Sequence, residues 1–100
     1  MLIPRNIIEE IAQRNDITEV VGAYVRLQRS GSNLVGLCPF HSEKTPSFTV
    51  FPADNHFYCF GCGAGGDVFK FVMLYENVDF PTALRMLAAR AGIAIHFEEG

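Results

Sequence analysis

The fold of this sequence depends on two short segments, Cys38-Pro39-Phe40-His41 and Cys59-Phe60-Gly61-Cys62. We call them the first knuckle (residues 38–41) and the second knuckle (residues 59–62). Each carries two potential metal ligands with two residues between them, and together they use all three cysteines of the chain. This spacing is typical of zinc sites, because a tight turn then aims both side chains at one ion. The sequence therefore predicts a tetrahedral Zn²⁺ site whose ligands are Cys38, His41, Cys59 and Cys62.

The predicted zinc site has a structural role. Four protein ligands leave no coordination position for water, whereas a zinc-dependent hydrolase needs an open one. Glu43 lies two residues after His41. Because the site would hold no zinc-bound water for Glu43 to deprotonate, the sequence assigns this residue no role. We therefore expect no catalytic centre in these 100 residues. Of the other histidines, His56 would point to the strand face opposite Cys59, and His96 lies outside any paired spacing.

Short segments with a side-chain period of two surround the knuckles and favour strands. The predicted strands are residues 24–28, 34–37, 47–51 and 56–60. Turn-forming residues separate them, so that neighbouring strands are expected to pair in an antiparallel sheet. The glycine-rich residues 61–66 are expected to form a loop, because glycine supplies backbone freedom but no side chain to pack.

Helical spacing of apolar residues predicts helices on both sides of the sheet, at about residues 5–22 and about residues 67–91. Asp16, Asp67 and Asp79 are the expected N-caps. The predicted fold class is α+β, a small zinc-ribbon-like antiparallel sheet of about four to five strands flanked by N-terminal and C-terminal helices. We expect one zinc-binding domain over residues 1–100, with the sheet and both knuckles in about residues 24–62. Residues 93–97 are predicted to be extended, and residues 93–100 to begin a linker.

The composition excludes several classes of protein. A formal net charge of −3 excludes a strongly basic protein that coats duplex DNA by bulk electrostatics. Three cysteines are too few, and odd in number, for a disulfide framework. Apolar runs are too short for a transmembrane helix, and the N-terminus has no secretory signal pattern. We therefore expect a cytoplasmic protein with no membrane partner.

A local excess of positive charge lies in the predicted sheet. Arg26, Arg29 and Lys44 are opposed only by Glu43 between residues 20 and 52. Aromatic residues crowd the neighbouring strands, at positions 48, 51, 57, 58 and 60. Rings that stack bases and cations that contact phosphates are typical of proteins that bind single-stranded nucleic acid. The alternative is that most of these rings form the core and that the arginines are merely solvated.

Two longer segments contain the knuckles: residues 36–48, Gly-Leu-Cys-Pro-Phe-His-Ser-Glu-Lys-Thr-Pro-Ser-Phe, and residues 57–67, Phe-Tyr-Cys-Phe-Gly-Cys-Gly-Ala-Gly-Gly-Asp. Both segments resemble the N-terminal zinc-binding domain of bacterial DNA primase (DnaG type). The flanking helices support the same resemblance. It implies the zinc ligands that the spacing had already indicated. It further implies that Arg29 and Lys44 lie at basic positions of the sheet face, and Phe48 and Phe57 at its aromatic positions. These four residues and Arg26 together are the five predicted contacts with nucleic acid.

The resemblance also implies a function. In that family, the zinc-binding domain helps to engage the single-stranded DNA template of a primase. A primase is a DNA-directed RNA polymerase that synthesises short RNA primers for DNA replication. Primer synthesis is then expected in an RNA polymerase domain that uses Mg²⁺, and docking on the replicative helicase in a C-terminal domain, both outside these residues. The alternative is a structural zinc-ribbon module for protein–protein interaction, whose C-terminal helices dock on a partner domain.

Overall fold

Residues 3–94 are described by a computed structural model of the chain. Within them lie four α-helices and a five-stranded antiparallel sheet, which confirms the predicted α+β class. The strands follow the chain order across the sheet, and they are β1 Gln28–Ser30, β2 Asn33–Gly36, β3 Phe48–Phe51, β4 His56–Cys59 and β5 Gly65–Gly66. None of the helices in this described part is long and apolar enough to cross a lipid bilayer.

Helices α1 (Arg5–Arg14) and α2 (Ile17–Gly22) precede the sheet. The Asp16 side chain caps α2 as predicted, by accepting a hydrogen bond from the Thr18 N–H at 2.7 Å. The first strand begins at Gln28 instead of at Tyr24. The reason is local: the N–H groups of Tyr24 and Val25 both bond back to the carbonyl of Val21, so the chain is still closing the end of α2.

Helices α3 (Val68–Glu76) and α4 (Phe80–Ala91) follow the sheet and pack against each other. Asp67 and Asp79 cap them as predicted, each accepting from the backbone N–H three residues further on. Gly92 ends α4 in the left-handed conformation, at φ 72°. Residues 95–97 of the predicted extended segment lie outside the described residues, as does His96.

The glycine-rich segment is partly regular, which corrects the prediction of a loop. Gly65 and Gly66 pair with Tyr58 and Phe57 and form the edge strand β5. A Cβ atom at Gly65 would lie 2.8 Å from Cδ1 of Tyr58, so only glycine allows this close approach. The hydrophobic pattern carried no signal for this strand because glycine has no side chain.

The strand register separates two faces of the sheet. One row across the strands consists of Arg29, Leu34, Val50 and Phe57. The buried members of this row face the helices. The neighbouring row is formed by Gln28, Val35, Thr49, Tyr58 and Gly65. Gln28 and Tyr58 in the second row are exposed. We call this side, opposite the helices, the open face of the sheet.

Candidate metal centre

The sheet brings the two knuckles together. Cys38 follows β2 and Cys59 ends β4, and these strands flank β3 on either side. The ligand atoms of Cys38, His41, Cys59 and Cys62 all lie within 4.8 Å of one another. The Sγ atoms of Cys38 and Cys62 are 3.8 Å apart, and Sγ of Cys59 lies 3.9 Å from Nδ1 of His41. His56 is outside this cluster and stacks on Phe51, with ring centroids 4.7 Å apart.

The cluster fits a zinc ion in spacing and in chemistry. Zinc–sulfur bonds of about 2.3 Å at tetrahedral angles put two sulfur atoms about 3.8 Å apart. The separation between the Cys38 and Cys62 sulfurs is the same, at 3.8 Å. Three thiols and one imidazole are a donor set that suits Zn²⁺. Cys38 and Cys59 are buried and Cys62 is exposed, so the ion would lie at the edge of the sheet near the surface.

Backbone N–H groups of both knuckles point at the sulfurs. The Phe40 N–H donates to Sγ of Cys38 at 3.3 Å. Burial raises the pKa of the Cys38 thiol to about 12, assisted by the neighbouring thiols. Burial also opposes ionisation of Cys59, but the polar contact with Ser47 and hydrogen bonds from backbone N–H groups of the second knuckle outweigh it and lower the pKa of Cys59 to about 7. Of these two thiols, Cys59 therefore ionises more readily than Cys38.

Glu43 lies against the first knuckle, and sequence reasoning missed its contacts. Its Oε2 accepts hydrogen bonds from the N–H of Cys38 at 2.8 Å and of Ser47 at 3.1 Å. Its Oε1 accepts from the Ser47 hydroxyl and lies 3.1 Å from Nε2 of His41. The Glu43 side chain is only 10% exposed. The hydrogen bond from Ser47 is the main cause that lowers the pKa of the Glu43 carboxyl, so it is a carboxylate at neutral pH.

The structure brings together only two of the three predicted cations. Arg26 and Lys44 line one groove of about 470 Å³, together with Tyr24, Gln28 and Leu37. Because Gln28 belongs to the open-face row, this groove borders the open face. Arg29 instead lies in the row of Leu34, Val50 and Phe57, on the side of the helices.

The structure contradicts the predicted stacking role of Phe48 and Phe57. Both rings are 0% exposed, and they pack on each other with centroids 5.3 Å apart. The aromatic side chains that reach solvent beside them are Tyr58, 40% exposed, and Phe60, 68% exposed. These two rings lie edge to face with centroids 5.0 Å apart. Strand alternation indicates only that Tyr58 faces away from Phe57, and not which of the two rings is buried.

Comparison with known proteins finds one family throughout the chain. The family model described as the CHC2 zinc finger matches residues 3–100. The DNA primase of Geobacillus stearothermophilus is 52% identical over 97 residues, which are 97% of this chain and 16% of that protein. The DNA primase of Pseudomonas putida is 50% identical over 99 residues, which are 99% of this chain and 15% of that protein.

A solved structure shares the fold. The crystal structure of the Aquifex aeolicus primase, comprising zinc-binding and RNA polymerase domains, superposes with a TM-score of 0.86 at 44% sequence identity. The match covers 90% of this chain and 22% of the Aquifex chain. The present chain thus spans only about 15% of the length of the curated relatives that it matches.

Proposed function

The chain belongs to the CHC2 zinc-finger family of DnaG-type DNA primases, and from this premise we propose that it holds single-stranded DNA template for primer synthesis. Zinc binding follows from the family and from the cluster of three thiols and one imidazole. We assign the ligands as Cys38, His41, Cys59 and Cys62. The ion is structural, because this set fills its coordination shell and leaves no place for a reactive water. When bound, it joins the loop after β2 to the end of β4.

The groove beside the open face is the main support for the proposal. Arg26 and Lys44 bring two positive charges to one groove of about 470 Å³. The row from Gln28 to Tyr58 crosses the sheet from β1 to β4, so the groove and the exposed ring of Tyr58 border the same face. The exposed ring of Phe60 packs edge to face on Tyr58. Cations that contact phosphates beside rings that stack bases are the two components of single-strand binding.

Binding of this kind is weak and sensitive to salt. The chain has a net charge of −3, so only the local cations favour a polyanion. If two phosphates of a single strand are neutralised, the logarithm of the affinity falls with the logarithm of the salt concentration at a slope of about −1.4. A template domain with such weak contacts depends on the rest of the primase to retain the strand.

Replacing both groove cations tests the proposed surface. The double variant Arg26→Ala, Lys44→Ala is expected to lower the affinity for a labelled single-stranded oligonucleotide at least tenfold, and to bring the salt slope close to zero. Both changes follow from the loss of the phosphate contacts. Fluorescence anisotropy at several salt concentrations measures both quantities.

Arg29→Ala is the matched control, because it removes an exposed arginine from the other side of the same sheet. It is expected to bind DNA within about twofold of the unchanged chain. Equal affinity for the double variant and the unchanged chain would contradict the proposed surface, as would an Arg29→Ala loss as large as that of the double variant.

We further propose that primer synthesis takes place in a Mg²⁺-dependent RNA polymerase domain of the same or a neighbouring primase molecule, in the cytoplasm. The small share of its relatives that the chain spans supports this division of labour, as does the RNA polymerase domain of the Aquifex primase. A contact between the replicative helicase and a C-terminal domain of the parent protein is proposed from the sequence resemblance alone.

The alternative function, docking of the C-terminal helices on a partner, has less support. The main apolar face of each helix is already used inside the chain. The buried residues are Val68, Phe69, Phe71 and Val72 of α3 and Ala83, Leu84, Leu87 and Ala88 of α4. A module built for docking through these helices would leave more of this surface exposed.

A further inference from the structure

We propose that Glu43 is a positioning residue of the zinc site, which fixes the His41 ring so that Nδ1 is the ligating nitrogen. This inference rests on the zinc ligands proposed above and is independent of DNA binding. The ligand set proposed above consists of four residues. Glu43 lies outside that set but touches two of its members directly, Cys38 through the backbone and His41 through the ring.

The orientation of His41 is the first observation. Its Nδ1 faces the cluster, 3.9 Å from Sγ of Cys59, and its Nε2 faces away, 3.1 Å from Oε1 of Glu43. A neutral imidazole that ligates a metal through one nitrogen carries its proton on the other. The Nε2–H of His41 therefore donates to the Glu43 carboxylate. Carboxylates placed in this way fix the tautomer and the ring orientation of a ligating histidine.

The number of donors around Glu43 is the second observation. Four groups converge on the carboxylate, and every one is a donor: the N–H of Cys38, the N–H and hydroxyl of Ser47, and Nε2–H of His41. An ionised carboxylate is an acceptor only and offers about four lone-pair positions. Glutamine has the same shape but replaces one oxygen with an NH₂ donor. Only the carboxylate accepts from all four groups at once.

Glu43 is also connected to the second knuckle through Ser47. The Ser47 hydroxyl, which donates to Glu43, lies 3.5 Å from Sγ of Cys59, and the Ser47 carbonyl accepts from the Phe60 N–H at 3.0 Å. The backbone of Gly61 closes the space beside these contacts. A Cβ at Gly61 would lie 2.8 Å from Nε2 of His41 and 2.8 Å from Oγ of Ser47. The contact between His41 and Glu43 thus lies against both knuckles.

A simpler role for Glu43 is to cap the turn by accepting the backbone N–H groups of Cys38 and Ser47. The two roles differ in what they require of the oxygen that faces His41. A turn cap needs only Oε2, which the amide oxygen of a glutamine can replace. A positioning residue also needs an acceptor at Oε1, which the NH₂ group of glutamine cannot provide. Glu43→Gln therefore separates the two roles.

The experiment combines zinc affinity with NMR of the zinc-loaded chain labelled with ¹⁵N histidine. In the unchanged chain we expect the spectrum to show zinc on Nδ1 of His41 and a hydrogen-bonded proton on Nε2. Glu43→Gln is expected to lower the zinc affinity about 10- to 100-fold in competition with a chromophoric chelator. Glu19→Gln, which neutralises an exposed carboxylate on α2, is the matched control and is expected to keep the affinity of the unchanged chain.

The possible outcomes distinguish this inference from the ligand assignment. Coordination of zinc through Nε2, or unchanged zinc affinity in Glu43→Gln, would overturn the role of Glu43 while leaving the four ligands intact. A His41 ring without any zinc-coordinated nitrogen would instead overturn the ligand assignment itself. The NMR measurement on the unchanged chain decides between Nδ1 and Nε2 even if the Glu43→Gln chain fails to fold.

Discussion

Cys59→Ala is expected to abolish zinc binding and cooperative unfolding together. Cys59 is fully buried at the end of β4, and its sulfur is the one that contacts both His41 and Ser47. The free energy of binding structural zinc is about 10–16 kcal/mol in small zinc-finger peptides at neutral pH, and it acts as folding free energy. That contribution is comparable with the entire stability of a typical domain, about 5–15 kcal/mol.

Zinc content by mass spectrometry and thermal melting by circular dichroism measure the two effects of Cys59→Ala. Phe60→Ala is the matched control, since it changes the next residue of the second knuckle but removes an exposed ring that is no ligand. We expect this control to retain one zinc ion and a cooperative melt. If Cys59→Ala melted like the unchanged chain with its zinc still bound, Cys59 would not be a ligand.

Phe57→Ala is expected to have the second-largest effect, a loss of about 3–5 kcal/mol in the free energy of unfolding. The Phe57 ring is fully buried and packs on Phe48, with centroids 5.3 Å apart, and on Phe71, with centroids 5.6 Å apart. Removal of the ring leaves a cavity in the middle of the aromatic core, between the sheet and α3. Urea unfolding of the zinc-loaded chain measures the change.

Tyr58→Ala is the control for Phe57→Ala because it changes the next residue of β4, on the open face. We expect it to lower the unfolding free energy by less than about 1 kcal/mol, as surface substitutions usually do, and to weaken binding of a single-stranded oligonucleotide. The opposite pattern, a stable Phe57→Ala that no longer binds DNA, would restore the stacking role first predicted for Phe57.

The local features of this fold were predictable from the sequence. The helix caps at Asp16, Asp67 and Asp79 were predicted correctly because a cap depends on an aspartate and the N–H groups two or three residues beyond it. The four cysteine and histidine positions that the spacing selected are the ones that the structure brings within 4.8 Å of one another. Spacing within each knuckle is also a local property.

The features that depend on distant parts of the chain were not predictable in the same way. Phe57 and Tyr58 are adjacent aromatic residues, so the sequence shows that they face opposite sides but not which side packs on α3. The helix-facing row, in which Val50 and Phe57 are fully buried, decides this. The role of Glu43 likewise depends on a turn that brings Ser47 back beside the first knuckle.

X-ray absorption at the zinc edge tests most directly whether one ion joins the two knuckles. We expect one zinc per chain, with three sulfur neighbours at about 2.3 Å and one nitrogen neighbour at about 2.0–2.1 Å. A purified chain without zinc would contradict it. So would a coordination shell with a water oxygen in place of one of these ligands, because the site would then be open to hydrolytic chemistry instead of serving as a closed structural link.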